Sequence, residues 1–186
     1  MSRTSSTEPA ADRAPQTLQL HRWFPYRFSW IANEVSLCLH HVYNARWGIS
    51  VPGWRIITVL AEYAPLAAKD VAAETAMDVV QVTRAVTELF RKRLVLRRED
   101  PVDRRRVSLE LSAAGHRLYQ EVVPYARQLE EELLKGMNKG QREALSELLD
   151  LVQQNAGRLA AENGTGTGRA KTPAPRRAAS ARKKRP

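Results

Sequence analysis

The 186 residues, 43% apolar and 6% aromatic, are enough for one domain with its own core, and their net charge of +10 is concentrated at one end. Asn163 to Pro186 holds eight Lys and Arg and no acid, which leaves +2 for the rest of the chain, so the basic balance bears on partners rather than on the fold. A lone cysteine, Cys38, excludes a disulfide framework and a multi-cysteine metal site, and no apolar run approaches the ~18 residues of a membrane span.

Residues 1–20 are rich in Ser, Thr, Ala and Pro and lack the continuous apolar stretch of a signal peptide. They are expected to form a flexible arm, and the expected compartment is the cytoplasm, at the nucleoid. Phe24, Phe28, Ile31, Val35, Cys38, Val42, Ala45 and Ile49 follow at steps of four and three, which predicts one helix over 24–47 with an apolar stripe. Gly48 ends it. Ser50, with Pro52 in the first turn, starts a second helix over 51–62. Ala64-Pro65 breaks that helix, and a short third follows over 66–74. A fourth runs over 78–93, with Val79, Val82, Val86, Leu89 and Phe90 expected in the core.

The period then changes. Leu94 to Arg98 reads as a strand, Glu99 to Asp103 as a turn and Arg106 to Leu111 as the returning strand. Ser112 caps a long helix to about Lys135, and a last helix covers 141–161 with Leu145, Leu148, Leu149 and Val152 on one side. Residues 163–186 lack large apolar side chains and are expected to be disordered. That tail suits a sliding phosphate contact and suits a solubilising role equally.

Short helices, a presented helix and a basic-tipped hairpin make a winged helix-turn-helix order. The fold class expected is therefore mainly α, with a small β-hairpin wing and terminal helices left over for dimerisation. A helix fits the major groove, and an arginine on a hairpin tip fits the narrow minor groove. On the outer side of the fourth helix stand Gln81, Thr83, Arg84, Thr87 and Arg91, with Val80 beside them. Gln and Arg can pair bidentately with base edges, and Thr can touch a phosphate or a thymine methyl. The hairpin tip carries Asp103, Arg104 and Arg105. Asp103 is placed to hold the Arg105 guanidinium extended.

These residues resemble a family. Gly48-Ile49-Ser50, Trp54-Arg55-Ile56-Ile57 and Leu60 are similar to the start of the second helix in MarR-type regulators. Val82-Thr83-Arg84, Leu89 and Arg93-Leu94-Val95 resemble their recognition helix. Asp100-Pro101, Asp103-Arg104-Arg105, Leu111-Ser112 and Gly115 resemble their wing and the turn after it. One position departs: Arg93 stands where the family has Gly, so the turn lacks a residue tolerant of positive φ.

The resemblance covers about residues 24–155 and implies a ligand-responsive homodimer on an inverted-repeat operator in double-stranded DNA. It places Arg105 in the minor groove and Gln81, Thr83 and Arg84 in the major groove. Arg91, Arg97 and Arg98 suit phosphate contacts and suit a solvated surface equally. It further implies a repressor released by a small aromatic acid, such as 6-hydroxynicotinate, or its thioester. Arg22, Tyr26, Trp30, His40 and Tyr43 are the candidate effector ligands, because a flat anion needs ring faces and a cation. Two alternatives stand beside this reading. One is a thiol-based, peroxide-sensing repressor using Cys38, although a thiol on the apolar stripe would be buried and inert. The other is a non-specific architectural DNA-binding protein. No phosphate loop, zinc spacing or Ser–His–acid arrangement appears, so no enzyme, cofactor or metal is expected.

Overall fold

The computed structural model describes residues 17–99 and 107–164. The chain divides into two compact units, Met1–Val42 and Tyr43–Pro186. The first opens on a 3₁₀ turn, Leu20–Arg22, and continues into α1 (Phe24–Trp47), which runs on into the second unit. Between Phe24 and Val42 no side chain is buried, and Phe24, Ile31, Leu37 and Val42 are each about half exposed or more. Cys38 is exposed too. The expectation of a buried thiol therefore fails within the single chain: from Phe24 to Val42 the stripe it shares is not enclosed by the described residues.

The second unit takes over at Tyr43. Gly48, at φ +61°, ends α1 in the left-handed region that favours glycine, and its N–H reaches Asn44 O at 3.0 Å. Ser50 caps α2 (Val51–Tyr63), its hydroxyl accepting from the Gly53 N–H at 3.2 Å. There follow β1 (Leu66–Ala67), α3 (Ala68–Thr75), α4 (Val79–Arg91), β2 (Val95–Glu99), β3 (Val107–Leu111), α5 (Ala113–Leu133) and α6 (Lys139–Glu162). The sheet is antiparallel in the order β1-β3-β2. The expected start of the third helix at 66 is corrected by β1, whose two residues pair with Leu109 and Ser108. A pair so short leaves no periodic trace in sequence.

The core of this unit is mainly aliphatic, with Tyr43 and Trp54 as its buried aromatics. Ile49, Ile56, Ile57, Leu60, Val71, Val82, Leu89, Val95 and Val122 are fully enclosed, and no charged or polar side chain is buried among the described residues. Val79 and Phe90, expected in the core, are exposed at 56% and 47%. The apolar period of α4 is satisfied by Val82, Ala85, Val86 and Leu89, so those two residues fall on its flank.

Gly115 joins core and wing. A Cβ there would lie 2.1 Å from Leu94 O, so only glycine lets the first turn of α5 sit against that backbone. Ser112 secures the junction, its hydroxyl accepting from Gly115 N–H at 3.0 Å and donating to Arg93 O at 2.7 Å. α6 begins with a reciprocal capping box between Asn138 and Gln141 and buries no side chain over its 24 residues.

Candidate nucleic-acid interface

Helix α4 is held at both ends. Asp78 caps its start, the carboxylate accepting from Gln81 N–H at 2.8 Å. Ahead of it, α3 ends with Ala76 at φ +52°, and Met77 N–H donates back to Ala72 O at 3.2 Å; Met77 is buried. This Schellman arrangement sets the angle between α3 and α4. At the far end Lys92 bonds Gly48 O and pairs with Glu88 at 2.9 Å, while Ser50 Oγ donates to the same carboxylate at 3.4 Å. The helix is thereby pinned to the turn between α1 and α2.

α4 ends in a second Schellman turn. Arg93 N–H donates to Phe90 O at 2.9 Å and Leu94 N–H to Leu89 O at 3.0 Å. Arg93 takes φ +57° to allow this, although it is not glycine. The conformation that the family reserves for Gly is thus present here with an arginine, at a cost of about 1 kcal/mol.

With Val82, Ala85, Val86 and Leu89 buried, the opposite side of α4 presents Val80, Arg84, Thr87 and Arg91, flanked by Thr83 and Gln81, all exposed. Among the described residues no carboxylate pairs with Arg84 or Arg91. Thr83 Oγ1 donates to Val79 O at 2.7 Å and Thr87 Oγ1 to Thr83 O at 2.8 Å, so both hydroxyl protons are engaged within the helix. The wing continues the basic edge. Arg97 lies over the Phe90 ring at 5.1 Å, and Arg98 pairs with Glu110 across the ladder. Asp103, Arg104 and Arg105 lie outside the described residues.

The residues predicted to hold an effector are divided between the two units. Tyr26 and Trp30 line a depression of about 360 Å³ in the first unit, with His21, Arg27 and Ile31. Arg22 and His40 are exposed and are not part of its lining. Tyr43 belongs to the second unit. Its ring lies 6.0 Å from Trp47 and 5.3 Å from Trp54, and Trp54 stacks on Tyr119 at 5.9 Å. Trp47 meets Tyr125 at 5.2 Å, and the Arg46 guanidinium lies over Tyr125 at 4.2 Å. Tyr43 is 1% exposed and its hydroxyl has no hydrogen-bond partner among the described residues. Burial raises the pKa of that phenol, because the charged form would lose water. Sequence reasoning named Tyr43 but not Arg46, Tyr119 or Tyr125, whose rings and cation come together only when the end of α1 packs against α5.

The MarR family pattern matches residues 47–106, the stretch from the end of α1 through α4 to the tip of the wing. That segment is of MarR type. Over 104 residues it is 32% identical to the HTH-type transcriptional repressor NicR of Pseudomonas putida, a match covering 54% of this chain and 66% of NicR, just under two thirds. The fold is that of a MarR/EmrR family transcriptional regulator from Acinetobacter sp. ADP1, with TM-score 0.72, 23% identity, and coverage of 76% of this chain and 99% of the other. It is also that of BpsR of Bordetella bronchiseptica, whose DNA binding is regulated by 6-hydroxynicotinic acid, with TM-score 0.62, 23% identity and coverage of 70% and 99%. Among the described residues no helix is long and apolar enough to cross a membrane.

Proposed function

We propose that this protein is a MarR-type, ligand-responsive, DNA-binding transcriptional regulator, a repressor that leaves an inverted-repeat operator when a small aromatic acid binds. The observation that carries the reading is the outward row of α4. It is a rigid helix, capped and pinned at both ends, whose exposed side has guanidinium groups that no carboxylate among the described residues pairs with. In the major groove Arg84 and Gln81 read base edges, Arg91 holds phosphate, and Val80, Thr83 and Thr87 lie between them. Asp103, Arg104 and Arg105 supply the minor-groove contact at the wing. Two copies bind as a homodimer that covers the apolar faces of α1 and α6, with half-sites about one helical turn, ~34–36 Å, apart.

For the effector, two features favour an aromatic acid: the unpaired Tyr43 hydroxyl among aromatic rings, with Arg46 beside them. The relatives point the same way, since BpsR answers to 6-hydroxynicotinic acid and NicR is a repressor. Effector binding would favour a lobe spacing that misfits successive grooves.

The test begins with a duplex enriched by the full-length protein from a random pool. Arg84→Ala should weaken binding to it by about tenfold or more while leaving a scrambled duplex nearly unaffected. Hydroxylated nicotinates and benzoates should displace the native protein, and Tyr43→Phe should respond to them more weakly. Equal losses on both duplexes would remove α4 from base reading.

A further inference from the structure

We propose that α4 reads thymine through its 5-methyl group, using a strip of methyls formed by Val79, Val80, Thr83 and Thr87 alongside the Arg84 and Arg91 guanidinium groups. The inference rests on the assignment of α4 to the major groove and specifies what it reads there.

Val79 and Val80 are 56% and 58% exposed in the first turn of α4. Neither serves the core, which is filled from that helix by Val82, Ala85, Val86 and Leu89. Neither favours the helix, because a β-branched side chain loses rotamer freedom there. Val80, on the face that bears the arginines, and Val79, on the flank beside it, therefore suit a partner with an apolar spot inside a polar, anionic surface. In duplex DNA the thymine 5-methyl is that spot, and it projects into the major groove.

The threonines point to the same chemistry. With the Thr83 and Thr87 hydroxyl protons given to Val79 O and Thr83 O, neither can donate to a phosphate or to a base acceptor without breaking a helix contact. What remains for a partner is the methyl and an acceptor lone pair. The donors of this face are Arg84, Arg91 and Gln81, so the division of labour is clear: guanidinium and amide for guanine or phosphate, methyls for thymine.

Spacing narrows the pattern. Val79 and Thr83 stand four residues apart, as do Thr83 and Thr87, and four residues rise about 6 Å. That is roughly two base-pair steps, so each half-site should carry thymines about two base pairs apart under α4.

The experiment uses full-length protein and the enriched duplex, with each thymine replaced singly by deoxyuridine, which lacks only the methyl. The predicted result is an affinity loss of about fourfold at one or two positions repeated symmetrically in both half-sites. Val80→Ala should lose a similar factor on the thymine duplex and become indifferent to deoxyuridine at its own position, with unchanged thermal unfolding. Indifference of the native protein to every replacement would overturn the proposal, as would a Val80→Ala penalty equal on thymine and deoxyuridine at every site. Failure to enrich any duplex would instead overturn the assignment of α4 to DNA, and this inference with it.

Discussion

Arg93 shows how far a single residue can depart from local preference when the surrounding turn demands it. Its positive φ is enforced by two backbone bonds closing α4 and by the Ser112 hydroxyl bonded to its carbonyl. Arg93→Gly should therefore raise stability by about 1 kcal/mol, seen as a higher denaturant midpoint at unchanged slope. Tyr43 is the opposite case, a good fit apart from its hydroxyl. Tyr43→Phe removes a buried unpaired donor and should not destabilise the free protein. The native phenol has its pKa raised above 10.0 by burial. Its contribution to stability is therefore complete below about pH 10 and is lost as pH rises from there through the raised value. Alkaline titration of thermal stability should show a step in the native protein that is smaller in Tyr43→Phe.

The helices were legible because their apolar period is strong. The runs at 24–47 and 51–62 are where α1 and α2 lie, and Ser50, Ser112 and Gly48 do at the termini what their chemistry suggests. β1 was not legible, since two residues carry no period. Nor was the exposure of Val79 and Phe90, because the 3.6 repeat admits residues on the margin of a stripe as readily as those at its centre. At the candidate interface the outward residues of α4 could be read from the wheel. The engagement of the threonine hydroxyls, the stacking of Arg97 on Phe90 and the aromatic assembly around Tyr43 could not, since each depends on side-chain placement in three dimensions. Helix α6 poses the reverse problem, being regular, well capped and without a buried side chain. A long helix with Leu148, Val152 and Leu159 exposed is stable only if something covers them. Leu148→Asp, which breaks no contact inside the core, should shift sedimentation from dimer to monomer and lower the unfolding midpoint at micromolar concentration.

At the scale of the molecule, charge and specificity are separable. The +8 of Asn163–Pro186 sits outside the winged region, whereas base reading is assigned to α4 and the wing. Deleting 165–186 should weaken binding to all duplexes alike and flatten the dependence of affinity on salt, leaving the preference for the operator intact. An architectural binder would show no preference to preserve. The measurement that bears most directly on the whole account is therefore the ratio of affinities for the enriched duplex and its scrambled counterpart at physiological salt, for the full-length protein and for Arg105→Ala. The account predicts a ratio of about a thousand or more for the native chain and its collapse in the variant. A native ratio near one, or an Arg105→Ala ratio equal to the native, would contradict it.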